Sequence, residues 1–120
     1  MALFSKTKLT GSVDGRGVLV AATSSTGTVI HTGPSASAVM DEIWLYGMNT
    51  DTTARKLTLQ WGGTTSPGDD IEITLNAESG LVLLAPGLML QGNATPLVVR
   101  AFAATANVIT IHGYAHRITP

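Results

Sequence analysis

The side chains best suited to chemistry in this sequence are its three histidines, His31, His112 and His116. His112 and His116 stand four residues apart. On a helix that spacing would set both imidazoles on one face, ready for zinc. Here Val108, Thr110, His112, Tyr114 and His116 alternate with Ile109, Ile111, Gly113 and Ala115, so the segment reads as a strand. Four residues of strand separate the two rings by ~13 Å, too far for one ion. Both are expected on a polar sheet face or a subunit contact; His31 has no assigned partner. The carboxylates group as Asp41-Glu42 and as Asp69-Asp70 with Glu72. Paired carboxylates can hydrolyse a glycosidic bond, but Asp70, Glu72 and Thr74 share the outer phase of an alternating segment, which makes them a solvated face. Asp69-Asp70 lacks the regular oxygen spacing of a calcium loop. The sequence holds no nucleophile elbow, no phosphate loop and no dinucleotide fingerprint. The expectation is a protein that is not an enzyme, with no catalytic residue, no metal, no cofactor and no small-molecule substrate.

Trp44, Tyr46 and Trp61 could stack on a sugar. Trp61 lies in phase with Leu57 and Leu59, which places it in the core. Trp44 and Tyr46 share a phase with Glu42 and Met48, opposite Ile43 and Leu45. Apolar bulk on both faces of one strand suits a strand buried on one side and docked on the other. Tyr and Trp fit such a place because each joins an apolar body to a polar tip. Trp44, Tyr46 and Met48 are expected to meet either the opposing sheet, as a second core, or a neighbouring subunit; with His112, Tyr114 and His116 they are the candidate subunit interface.

The elements that carry these residues are short and strand-like. Alternation is clean over Val39–Asn49, Arg55–Gly62 and Asp70–Leu75. Leu57, Leu59, Ile71, Ile73 and Leu75 are expected inward, and Lys56, Thr58 and Gln60 outward. Gly17–Ala22 and Gly27–Thr32 flank a Thr-Ser-Ser-Thr turn and are expected to form a hairpin. Leu81–Leu84 and Leu88–Leu90 read as two strands broken by Pro86-Gly87. Leu97–Ala103 and Val108–Ile118 read as a closing hairpin. A helical turn is allowed only at Pro34–Ala38. Eight or nine strands with turns every ~8–12 residues predict an all-β fold. The preferred architecture is an antiparallel β-sandwich with jelly-roll or Greek-key connections. Residues 1–16 form an N-terminal arm or first strand, and residues 17–120 a single β-sandwich domain.

Composition narrows the partners. Charged residues make up 12% of the chain and the net charge is -1. That is about half the usual charged share, and it supplies no field to attract nucleic acid or an anionic membrane. A near-neutral, apolar-leaning surface favours association. The chain has no cysteine, so disulfides play no part. Met1–Lys8 lacks the apolar core of a secretion signal. Three of the seven basic residues, Lys6, Lys8 and Arg16, fall in the first sixteen positions. They are the expected contact arm.

The runs Lys56-Leu-Thr-Leu-Gln-Trp-Gly-Gly63, Gly80-Leu-Val-Leu-Leu-Ala-Pro-Gly87, Leu97-Val-Val-Arg-Ala-Phe102 and Asn107-Val-Ile-Thr-Ile-His-Gly-Tyr114 resemble small all-β structural proteins of tailed bacteriophages. Among these the chain is similar to capsid cement, or decoration, proteins. The resemblance covers roughly the last two-thirds of the chain. It implies a virion protein, made in the host cytoplasm and placed on the capsid surface, that forms a homotrimer, binds the major capsid protein and stabilises the phage head. A head-fibre, neck or tail component is the alternative within the virion; a carbohydrate-binding module using Trp44 and Tyr46 is the alternative outside it. Lys6, Lys8 and Arg16 would then reach the capsid.

Overall fold

A computed structural model describes residues 2–120, and Met1 lies outside them. Nine strands form two antiparallel sheets: β1 (Leu3–Lys8), β2 (Val18–Leu19), β3 (Thr28–Thr32), β4 (Met40–Asn49), β5 (Arg55–Trp61), β6 (Asp70–Leu75), β7 (Val82–Gln91), β8 (Val98–Ala103) and β9 (Ile109–Thr119). One sheet, here the long sheet, runs β1-β9-β4-β7, with β2 continuing the β1 edge beside β9. The other, the short sheet, runs β3-β8-β5-β6. The all-β sandwich expected from the alternation is what forms.

The alternating phase explains the layers. Ile43 and Leu45 of β4, Ile109, Ile111 and Ala115 of β9, Leu57 and Leu59 of β5, and Val99 and Ala101 of β8 all bury against one another. Their neighbours in sequence point outward, because successive side chains of a strand face opposite sides. The sandwich core thus takes alternate residues from β4, β5, β8 and β9, and burying each Leu or Ile contributes roughly 1.5–3 kcal/mol.

Four local expectations need correction. β2 and β3 form no hairpin: β2 pairs with β9 in the long sheet and β3 with β8 in the short one. β8 and β9 are likewise neighbours in sequence but lie in opposite sheets. Short intervening turns suggested both hairpins, yet the same turns also suit a chain stepping across the sandwich. Pro86-Gly87 does not split β7. The strand continues through them with register shifts at Ile43/Trp44 and Leu45/Tyr46 on β4, because Pro is tolerated on an edge strand at a bulge. Pro34–Ala38 holds bends and a turn closed by Val39 N–H donating to the Ala36 carbonyl at 3.0 Å, with no helix.

Thr58 and Gln60 do face out from the core, but they are buried. The segment between β2 and β3 folds over this side of the short sheet. Gly27 N–H donates to Gln60 Oε1 at 2.9 Å, and Gln60 Nε2 donates to Ser25 Oγ at 2.9 Å. Gln60 therefore latches the segment down. Replacing it with Leu leaves the Gly27 amide without its acceptor, at a cost of about 1–3 kcal/mol. Urea unfolding of Gln60→Leu is expected to show that loss, together with faster amide exchange at Gly27.

Candidate functional site: the outer face of the long sheet

The outward residues of β1, β9, β4 and β7 lie in cross-strand rows. Phe4 pairs with Ile118, and Ile118 with Met40; Lys6 pairs with His116, and His116 with Glu42; Lys8 pairs with Tyr114, and Tyr114 with Trp44. His112 stands opposite Tyr46, and Thr110 opposite Met48. On the β7 side, Met89 faces Glu42, Pro86 faces Trp44 and Leu83 faces Tyr46. The six residues expected at an interface are thus brought onto one face. Each is half-buried.

The face is preorganised. Trp44 Nε1 donates to Glu42 Oε1 at 2.8 Å. The Trp44 indole lies over Gly87 (φ 74°), where an added Cβ would come within 3.0 Å of the ring. Glycine at this position therefore lets β7 approach the indole. The Tyr114 and His116 rings sit 5.3 Å apart, tilted by 40°. Lys6 Nζ lies 4.5 Å above the Tyr114 ring, within cation–π range. His116 Nδ1 is 3.4 Å from Glu42 Oε1. Locked rotamers lower the ordering cost of any contact this face makes.

Lys6 and Lys8 belong to this face through β1. Arg16 sits apart, in the loop before β2, beside an open cleft of about 730 Å³ that it shares with Gly17, Met48 and His112. The three basic residues therefore form no single mobile arm: two are on a paired strand and one is on a loop.

A second cluster was not anticipated. Asp41, His31 and Arg117 meet between the two sheets. His31 Nε2 lies 2.6 Å from Asp41 Oδ2. Arg117 donates to Asp41 through Nε at 2.8 Å and Nη2 at 2.9 Å. Thr10 N–H donates to His31 Nδ1 at 3.2 Å, which assigns the ring proton to Nε2, where it points at Asp41. Burial acts to raise the Asp41 carboxyl above its ordinary value, but the hydrogen bonds from Arg117 and His31 and the charge of Arg117 outweigh it and hold the carboxyl below. His31 and Asp41 are both 0% exposed, so no substrate reaches this carboxylate–imidazole pair. It joins β3 of the short sheet to β4 and β9 of the long one. A signal was present in the sequence: Asp41 and Arg117 occupy the inward phase of otherwise apolar strands, the place where a charge must have a partner.

Elsewhere, Asp51 pairs with Arg55 and Lys56 with Glu72 on the surface. Among the described residues, no group of three or more His, Asp or Glu side chains could hold a metal ion.

Comparison with protein-family models, curated proteins and solved structures finds no match to any of them. What the chain does must therefore be argued from the face itself. That face is aromatic and aliphatic, with Lys6 and Lys8 along its β1 edge and Glu42 within it between His116 and Met89.

Proposed function

We propose that this protein is a virion structural subunit, a capsid cement protein that self-associates and stabilises a phage head by laying the outer face of its long sheet on the capsid. The observation that carries the reading is the contrast between the two outer faces. The short sheet covers part of its own outer face with the segment held by Gln60. The long sheet leaves Phe4, Met40, Leu83 and Met89 exposed around its half-buried aromatics. Large exposed apolar patches rimmed by polar groups mark binding surfaces. Aromatic anchors at the centre of such a patch carry most of the affinity. A repeating lattice then multiplies modest contacts through avidity. The resemblance to phage cement proteins supplies the identity of the lattice. A head-fibre, neck or tail component would use the same face against a different virion protein.

The test adds purified protein to expanded, undecorated phage heads. Saturable, stoichiometric binding and a higher capsid melting temperature are expected. Trp44→Ala and Tyr114→Ala should each weaken binding at least tenfold, equivalent to about 1.4 kcal/mol, while the isolated domain keeps its circular dichroism spectrum. Full-strength binding by both variants would remove this face from the contact. Glycan-array binding that disappears in Trp44→Ala would instead identify a carbohydrate-binding module.

A further inference from the structure

We propose that copies of this chain join head to tail by strand addition: the open β1 edge of one copy pairs antiparallel with the open β6 edge of the next, with Lys6 opposite Glu72 and Lys8 opposite Asp70. This deepens the self-association part of the proposed function and rests on that part alone; it does not depend on the capsid.

The two sheets end in four edges, and two of them are closed. On β3, Gly11 N–H donates to the Ile30 carbonyl at 3.0 Å and Thr32 N–H to Thr10 Oγ1 at 2.6 Å, so the turn after β1 covers that edge. β7 carries Pro86 and the register shifts against β4, devices that blunt an edge. β1 has neither protection, and on β6 only the first residue is covered, where Asp70 N–H donates to the Pro67 carbonyl at 3.1 Å. β1 pairs with β9 in unbroken register, and its Leu3 and Phe4 are 63% and 69% exposed.

The hydrogen-bond phase shows which groups are free. Thr50 N–H donates to the Val108 carbonyl and Val20 N–H to the Ile109 carbonyl. With the register of β9, this means that the outward residues of β9 bond to β4 and its inward residues bond toward β1 and β2. Leu3, Ser5 and Thr7 therefore bond to β9, while Phe4, Lys6 and Lys8 direct their amides and carbonyls to the open edge, where the Lys8 carbonyl also accepts from Thr7 Oγ1 at 2.8 Å. On the other sheet, Trp61 N–H donates to the Asp69 carbonyl at 2.8 Å. The inward residues Ile71 and Ile73 therefore bond to β5, and Glu72 and Thr74 direct their amides and carbonyls to the open edge, joined there by the Asp70 carbonyl, while the Asp70 N–H donates to the Pro67 carbonyl at 3.1 Å.

On both edges, then, the outward residues carry the free groups. In a strand of L-residues, direction and face together fix the side to which those groups point. Two such edges can be joined with outer faces continuous only if the strands run antiparallel. In that arrangement Lys6 meets Glu72 and Lys8 meets Asp70, Phe4 meets Thr74, and exposed Leu3 comes beside Leu75 and Ile73. A shift of two residues either way leaves one lysine without an acid. Pairing β1 with another β1 would set lysine against lysine or leave the lysines unmatched, and β6 with β6 would oppose carboxylates. Like charges directly opposite destabilise a sheet pair, whereas opposite charges favour it. Charge therefore selects the heterologous contact, in which Lys6 joins Lys56 on the Glu72 carboxylate, and the contact closes into a ring or continues as a filament according to its angle.

Two reversed proteins test this: Lys6→Glu with Lys8→Glu, and Asp70→Lys with Glu72→Lys. By light scattering, wild type should exceed the 12.4 kDa of one chain. Each reversed protein alone should fall to that mass, and an equimolar mixture should recover the wild-type mass, since each then offers the complement of the other. Recovery also shows that both variants are folded. In a second measurement, Lys6→Cys with Glu72→Cys in one chain should give a ladder of disulfide-linked oligomers on mild oxidation. Thr7→Cys with Glu72→Cys, on opposite faces, should not. Wild type that is monomeric at micromolar concentration, reversed proteins that keep wild-type mass, or a mixture that stays monomeric would each overturn the proposal. Failure of capsid binding with the oligomer intact would count against the capsid reading alone.

Discussion

Asp41→Ala is expected to destabilise the domain by about 3–5 kcal/mol, the cost of removing one partner from a buried ionic cluster. The large value follows from what is left behind. The imidazole of His31 loses the acceptor of its Nε2 proton inside the sandwich. Arg117 loses both of its hydrogen bonds on the side facing the core. Asp41→Asn keeps an acceptor oxygen but not the charge, so its loss should be smaller. Urea unfolding at neutral pH separates the two variants.

The same carboxylate sets an acid limit. Its folded pKa lies below the unfolded value of about 3.8. The stability it contributes is therefore present above that value and disappears as pH falls through the lower, folded one. Wild-type stability should decline on acidification below about pH 4, and Asp41→Asn should show a flatter acid limb. An unchanged acid limb in Asp41→Asn would mean that other carboxylates, such as Asp51 paired with Arg55, set the acid sensitivity.

Gly113→Ala should be nearly as damaging, at about 3 kcal/mol. Gly113 has φ 153°, and an added Cβ would run into the Trp44 carbonyl oxygen on the adjacent strand. Strained backbone alone costs on the order of 1–3 kcal/mol, and the clash adds to it because the obstacle is main chain. Gly113 lies between His112 and Tyr114, so the strand cannot relax without tilting the outer face. A melting temperature lower by roughly 10 °C is expected. Unchanged stability would show that β9 can move away from β4 at no cost.

Much of this architecture was legible because burial in a sandwich follows a period of two. Ile43, Leu45, Leu57, Leu59, Ile109 and Ile111 announce their side from sequence alone, and the outer row of Trp44, Tyr46, Tyr114 and His112 follows from the same phase. Pairing was less legible. Whether Val18–Leu19 meets Thr28–Thr32 or β9 depends on contacts some ninety residues away, and no local turn encodes them. The burial of Thr58 and Gln60 escaped for a related reason: alternation tells which way a side chain points, not what the chain later folds over it. The Asp41–His31–Arg117 cluster joins positions 31, 41 and 117. Phase marks two of those residues as inward charges, but distance in sequence hides that they are one another's partners.

The place of β9 has a consequence for how the domain comes to exist. This strand, the last of the nine, lies inside the long sheet between β4 on one side and β1 and β2 on the other. During synthesis Leu3, Phe4 and the basic residues after them have no sheet to join until Ile109–Thr119 has left the ribosome. The short sheet, whose β3, β5, β6 and β8 are all complete earlier, can form first. Non-local pairing of this kind slows folding and leaves sticky segments waiting. The completed long sheet is therefore a proofreading event: only a chain that includes Ile109–Thr119 can pair its first strand, and one cut before them leaves the β1 backbone without its partner.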